Sequence, residues 1–329
     1  MNTRFHDHLR ALKNQGFVMP NAPAGFADAE GQIFFARQLE YIEARTYDVL
    51  YQDLMYRQIF PTDTSIPAGV RSITYQTYDK AGKMRWINTG AKDIPRVDVA
   101  GKETTLPTHW GAASFAYNIG EIESARFAGV PLEQAKANAC RRALEEGLNE
   151  IAWVGNADLG LVGFFSTGTG IPRTTAPNGA GGFPQWSTKT PDEIAADVNT
   201  IFSDVVENTL KKEVPDTLLL PIAQYNLLRN TRLTDTGETL WSYVINKVNW
   251  IKSEANVLAV PELKDAGTGG VDVAVAYTRR PDKIEFKIPQ DITFHPVQQH
   301  GLEWIVNATC VCGGLHIRYP LSAHILEDI

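Results

Sequence analysis

The side chains of this 329-residue chain that could do chemistry are few and widely spaced. Its three cysteines are Cys140, Cys310 and Cys312, an odd number that makes no disulfide framework and fits a reducing compartment. Cys310-Val311-Cys312 lies in a run that reads as a strand, so alternation aims both thiols at one face. A zinc site would need further Cys or His ligands. His316 is the nearest candidate, and two small buried hydrophobes are the reading the residues favour. His6-Asp7-His8 could collect a metal ion, but it sits in a segment with no core to fix it. His295 and His300 flank a turn between strands. Glu145, Glu146 and Glu150 could act as paired carboxylates. They share a helix with Arg141 and Arg142, so an ion-paired solvated face is expected instead. Gly168-Thr169-Gly170 lacks the third glycine of a dinucleotide fingerprint and precedes Ile171-Pro172, not an apolar helix. No G-x-x-x-x-G-K-[ST], H-E-x-x-H or G-x-S-x-G occurs. No catalytic residue, cofactor or resident metal is therefore expected.

Composition points the same way. The hydrophobic fraction of 43% and charged fraction of 21% are those of an ordinary globular protein. A net charge of −7 favours solubility and gives no general attraction to nucleic acid or acidic membranes. Lys211-Lys212 and Arg279-Arg280 are isolated basic pairs, and the seven tryptophans form no stacking platform in sequence. No window approaches the roughly 18 apolar residues of a membrane span. The mixed, charged stretch from Met1 to Leu12 is no secretory signal. Synthesis in the cytosol is expected.

The elements around these residues form an α+β pattern. Residues 1–30 read as an arm: Phe17, Val18, Met19 and Phe26 are scattered without period and need a partner to be buried. A short helix follows near 32–45. Val70 to Tyr78 alternates as a strand. Asp79 to Lys83 reads as a turn, Met84 to Asn88 resumes a strand, and Leu106 to Ile119 closes the segment. This long excursion is too poor in apolar residues to be buried within one domain. It is disordered or ordered against another molecule. Residues 131–154 read as the clearest helix, with a stripe through Leu132, Ala135, Ala139, Ala143, Leu148, Ile151 and Ala152. Gly147 inside it costs about 1 kcal/mol relative to Ala, which points to a close packing contact. Residues 160–190 form a loop anchored by Leu161, Val162, Phe164 and Phe165. Thr190, Pro191, Asp192 and Glu193 then start a helix whose buried face runs through Ile194, Val198, Ile201, Phe202, Val205 and Leu210. Leu218 to Leu220 reads as a buried strand. Helices follow from Pro221 through Tyr225, Leu228 and Leu233, and from Thr239 to about Asn249. The remaining strands are 256–260, 271–277, 284–288, a pair or bent strand at 302–317, and 321–326.

This order of parts resembles the Hong Kong 97-type capsid fold of tailed-bacteriophage major capsid proteins. Local stretches carry the resemblance: Arg37-Gln38-Leu39-Glu40-Tyr41-Ile42-Glu43 with Tyr47, Gly160-Leu161-Val162-Gly163-Phe164, and Leu219-Leu220-Pro221 with Tyr225. The resemblance implies an N-terminal arm at 1–35, a first P-domain part at 36–65 and an E-loop at 66–112. It implies a P-domain at 113–189 with its spine helix at 131–154, an A-domain at 190–290, and C-terminal P-domain strands at 291–329. It further implies a structural protein whose copies form hexamers and pentamers of an icosahedral shell around double-stranded phage DNA. Assembly would take place in the host cytoplasm and the product would be the virion. Phe17 and Phe26 of the arm, and Lys80, Lys83, Arg85 and Trp86 of the loop, would be intersubunit contacts. Further partners would be a portal protein, scaffolding or decoration proteins, and DNA touched without sequence preference; no membrane is involved. Some members cross-link a loop lysine to a neighbour's asparagine, and Lys80, Lys83, Lys92 and Lys102 lie in the excursion. With about 30 residues before the first helix, a separate scaffold or none is expected. Bacterial encapsulin shells share the fold and form the alternative; an encapsulin would hold a cargo peptide inside its P-domain. An enzyme of unknown type would need a converging polar cluster that the spacing does not supply.

Overall fold

Leu218-Leu219-Leu220 and Val273 to Tyr277 are apolar without interruption, which demands strands covered on both faces. The computed structural model describes residues 52–86, 94–128, 132–233, 237–247, 251 and 253–329. The arm with Phe17 and Phe26, the helix near 32–45, and Lys92 lie outside the described residues. Asp53–Ile329 form one unit. In chain order, the one-turn helix α1 (Tyr56–Ile59) leads to β1 (Thr62–Asp63), β2 (Ser72–Ala81), β3 (Asp98–Pro107) and β4 (His109–Asn118). Helices α2 (Ile119–Ala128) and α3 (Leu132–Trp153) follow, then the short strands β5 (Gly155–Asn156), β6 (Leu161–Val162) and β7 (Arg173–Thr175). Next come α4 (Pro191–Asn208), β8 (Thr217–Leu220), α5 (Ile222–Asn230), α6 (Leu240–Lys247) and β9 (Val257–Ala259). The chain closes with β10 (Val273–Tyr277), β11 (Ile284–Lys287), β12 (Gln290–Phe294), β13 (Gln298–His300), β14 (Glu303–Cys312), β15 (Gly314–Ile317) and β16 (Ala323–Glu327).

The central sheet has five strands in the order β7-β16-β10-β8-β9. Its alternation divides two cores. Val273, Val275, Tyr277, Leu219, Ala323 and Ile325 face one, with α3 and the aromatic residues around Phe60. Ala274, Ala276, Leu218, Leu220 and Leu326 face the other, with α4, α5 and α6. The last strand, β16, grouped by sequence with 291–329, lies between β10 and β7 in this sheet.

Helix α4 starts as its residues dictate. The Thr190 hydroxyl accepts from Glu193 N–H and the Glu193 carboxylate accepts from Thr190 N–H at 2.8 Å, a complete capping box. Ile194, Val198, Ile201, Phe202 and Val205 are buried as expected, but Leu210 is 82% exposed. The helix has ended by then. The Thr209 hydroxyl donates to Val205 O at 2.7 Å and accepts from Glu213 N–H at 3.2 Å, and this turns Leu210 outward at φ +52°. Inside the same core, Lys189 Nζ meets the Asp197 carboxylate at 2.5 Å, and Trp186 Nε1–H donates to that oxygen at 2.9 Å.

Helix α3 buries Cys140, Leu144, Leu148 and Ala152, while Ala135, Ala139 and Ala143 are exposed. The expected stripe is rotated, because short alanines do not decide which face sinks and the larger residues do. An added Cβ at Gly147 would meet nothing, so no close contact explains that glycine. Of the expected ion pairs, Arg142–Glu146 forms at 2.6 Å, but Glu145 turns to Arg57 at 3.2 Å and to the Tyr56 hydroxyl. Past the helix, Gly155 adopts φ +76°, and an added Cβ at Gly163 would come within 2.3 Å of Gly155 N. This crossing lets Phe164 N–H and Phe165 N–H bond to the last-turn carbonyls of Ala152 and Trp153. It delivers Phe164 to Phe60, with ring centroids 5.6 Å apart.

A second sheet is centred on β14, with β4 on one side and β12 and β13 on the other. Cys310 and Cys312 share its buried face. The expected strand from Leu106 to Ile119 is two strands in different sheets. They separate at Thr108, whose N–H donates to Arg71 O at 2.9 Å. The run 302–317 is one bent path broken at Gly313, after which Gly314 takes φ +74° and β15 joins β11 and β1 in a third sheet.

This third sheet roots the hairpin of β2 and β3. Tyr75 of β2 packs on His316 at 5.7 Å and under the Arg318 guanidinium at 6.0 Å. Behind them runs a chain of ion pairs: Asp63–Lys287 at 2.5 Å, Lys287–Glu285 at 2.7 Å and Glu285–Arg318 at 2.9 Å. Lys287 holds the Asp63 carboxyl well below the usual carboxylate range. His316 is fully buried with neither ring nitrogen bonded. Burial first, then the cations of Lys287 and Arg318, push its imidazole down to about 4.

Two outcomes are expected. Asp197→Ala strands the buried Lys189 cation and should cost about 3–5 kcal/mol, whereas Asp197→Leu with Lys189→Met should cost less, about 1–3 kcal/mol, for the Trp186 N–H left without its acceptor. Urea titration checks this, and a double variant weaker than the single one would refute it. For His316 the folded value lies below the unfolded one. Stability is therefore full above about pH 6.5 and is lost as pH falls towards 4, by about 3 kcal/mol in all. His316→Leu should keep neutral-pH stability and flatten that slope; equal slopes in the two proteins would disprove it.

Candidate intersubunit surface

The hairpin is built from ten-residue strands paired from Ser72↔Pro107 to Ala81↔Asp98. Its two faces differ. Ile73, Tyr75, Thr104 and Leu106 are half-buried at the root. The other face carries a polar ladder: Thr74 and Thr105 hydroxyls at 2.8 Å, Gln76 Nε2 donating to Glu103 at 2.5 Å, and Tyr78 O–H donating to Gln76 Oε1 at 2.6 Å. Beyond Thr77 and Lys102 every described residue of the hairpin is exposed. At about 3.3 Å per residue, each strand reaches roughly 33 Å.

The pairing runs further than composition indicated. Asp79 to Lys83 is not a turn: Lys80 and Ala81 are laddered to Val99 and Asp98. Met84 to Trp86 has no strand structure, and 87–93 lie outside the described residues. The end of the hairpin is therefore the connection from Gly82 to Val97. Gly82 is needed there, because an added Cβ would sit 2.7 Å from Val97 Cγ2.

Of the six residues singled out in sequence, Lys80, Lys83, Arg85 and Trp86 come together on this outer part and are all exposed, Trp86 at 88%. Sequence reasoning missed Met84, 77% exposed, with Ile94, Val97 and Val99 beside the same end. Their signal was apolar residues standing among Gly, Pro and Lys. Between positions 79 and 98 the chain carries five cations against three carboxylates, in a protein of net charge −7. The outer hairpin is thus both apolar and locally basic.

Elsewhere the described residues bring together no catalytic or metal-binding constellation. Among the described residues no group of His, Cys, Asp or Glu could hold a metal ion, and no helix is long and apolar enough to cross a membrane. A cleft lined by Tyr56, Arg57, Arg141, Arg142 and Glu145 gathers several titratable groups. They bind one another: Arg57 bridges Glu145 at 3.2 Å and Asp291 at 2.8 Å. Burial, then the hydrogen bond to Glu145, raises the Tyr56 hydroxyl above its ordinary value. Burial pushes the Cys312 thiol up to about 12, which makes it inert.

No curated protein matches the chain. Its fold is similar to that of the capsid of Myoviridae phage XM1, at 16% identity over 89% of this chain and 98% of that one, with a TM-score of 0.77. It is similar to a structure from Mycobacterium phage Ogopogo, at 14% identity over 90% and 98% of the two chains, TM-score 0.56. It is also similar to the capsid of a native GTA particle, at 10% identity over 96% and 97%, TM-score 0.59. Residues 82–329 match the family model described as major capsid protein, which is most of the chain, and the chain belongs to that family.

Proposed function

We propose that copies of this chain form the hexamers and pentamers of an icosahedral shell that encloses double-stranded phage DNA, and that the chain acts as coat and not as catalyst. The carrying observation is the outer hairpin, whose described residues are all exposed. A two-stranded ribbon alone in water is marginal. Trp86, Met84, Ile94 and Val97 would each gain from burial, a large apolar side chain contributing about 1.5–3 kcal/mol. A neighbouring subunit of the same acidic chain supplies both the apolar cover and the opposite charge for Lys80 and Lys83.

In this reading 66–112 serve as the E-loop, α3 as the spine helix, 190–290 as the A-domain, and 36–65, 113–189 and 291–329 as the P-domain. The arm at 1–35 lies on a neighbour through Phe17 and Phe26. The shell assembles in the host cytoplasm and becomes part of the virion, with a portal protein and scaffolding or decoration proteins as further partners. A weakly acidic coat suits DNA that must be packed and released, because a strongly basic lining would hold the phosphates.

Electron microscopy and size-exclusion chromatography of the chain expressed alone should show closed shells, tubes or capsomers. Met84→Ser with Trp86→Ser should leave the subunit folded. At about 2 kcal/mol lost per contact, it should raise the concentration needed for assembly at least ~30-fold. Shells forming from that variant at the original concentration would remove the hairpin from the argument.

A further inference from the structure

Strand β4 presents a backbone edge that the other described residues leave unpaired from Trp110 to Ser114. It ladders with β14 along its whole length, from Asn118↔Glu303 to His109↔Cys312. On the far side of β14, His295 N–H reaches Asn307 O at 2.8 Å. Odd-numbered residues of β14 therefore point to β12 and β13, and even-numbered ones to β4. Through the register, His109, Gly111, Ala113, Phe115 and Tyr117 make the ladder, while Trp110, Ala112, Ser114 and Ala116 aim N–H and C=O outward. Lys136 Nζ, which donates to Ala116 O at 2.8 Å, fits that parity. Among the described residues, no hydrogen bond reaches the backbone groups of Trp110, Ala112 or Ser114. From Trp110 to Ser114 this open edge is about 13 Å long at ~3.3 Å per residue, with Lys136 seated at its far end on Ala116.

Soluble proteins blunt such an edge with charge, proline, a bulge or a covering element. The ten residues of β4, HWGAASFAYN, include no charge and no proline, and their register is unbroken. The side chains beside the open groups, Trp110, Ala112 and Ser114, are exposed, and two of them are small enough to let another backbone approach. The edge starts just after β3 ends at Pro107, so it continues the hairpin surface. Main-chain groups recognise any extended backbone, and an uncharged edge has no means of selecting a foreign partner. In a coat of many copies, the segment available at highest concentration belongs to the same chain.

We propose that in the shell an extended segment of a second copy of this chain adds to the sheet along the open edge of β4. This rests on the shell reading above. Hydrogen–deuterium exchange, resolved to single amides by mass spectrometry, compares unassembled full-length subunits with closed shells. Gly111 and Ala113 should be slow in both. Ala112 and Ser114 should be fast in the subunit and slow by about two orders of magnitude in shells. Unchanged exchange at Ala112 and Ser114 in well-formed shells overturns the edge pairing and leaves the shell reading intact; failure to form shells overturns both. Ala112→Pro removes only an outward N–H and should give a folded subunit that does not close shells. Ala112→Lys, which places charge beside the edge without touching the backbone, should do the same. Normal shells from folded Ala112→Lys with unaltered exchange at Ser114 would also overturn the proposal.

Discussion

A sheet that is apolar on both faces governs this molecule. In β10 the large residues Val273, Val275 and Tyr277 fall on one side and the small Ala274 and Ala276 on the other. A slip of one residue would exchange those sets and ruin both cores together, so the register is strongly determined. The asymmetry of size also decides what can lie on each side. The alanine face admits the close approach of α4 with Ile194, Ile201 and Phe202. The bulky face packs against α3 and the aromatic residues beside it. The Tyr277 hydroxyl ties the sheet to the end of α1 by donating to Ile59 O at 2.6 Å.

Against that body the hairpin is a lever with a short hold. Its root has an aromatic contact, a guanidinium overhead and a run of alternating charges behind. Its outer half is laddered strand to strand, and its described residues are exposed. Two mechanical regimes thus meet within β2. The root is packed on the body through Tyr75, whereas the outer part is exposed.

Local signals were legible in the sequence and long-range ones were not. Thr190-Pro191-Asp192-Glu193 encodes a helix start within four residues, and the structure has it complete. The shared face of Cys310 and Cys312 follows from alternation alone. By contrast, the stripe of α3 was misplaced because alanines at 135, 139 and 143 fit the period without having to be buried. Leu210 matched the period of α4 but came after the helix had ended. The break at Thr108 depends on Arg71 and Val70, far back in the chain, and nothing local announces it. Of the candidate surface, the cationic residues and Trp86 were visible because they stand in an apolar-poor segment. Met84, Ile94 and Val97 were missed because the segment was taken to fold back sooner than it does.

The position of β16 has a consequence in time. It occupies the sheet between β10 and β7 and supplies Ala323, Ile325 and Leu326 to the two cores. A ribosome makes every other strand of that sheet first, so neither core can close until Glu327 has been made and released from the exit tunnel. Nascent chains on one messenger, crowded together with their hairpins already synthesised, lack the completed body that a neighbour would have to recognise. Strand order thus acts as a clock: both cores wait for the last strand of the sheet.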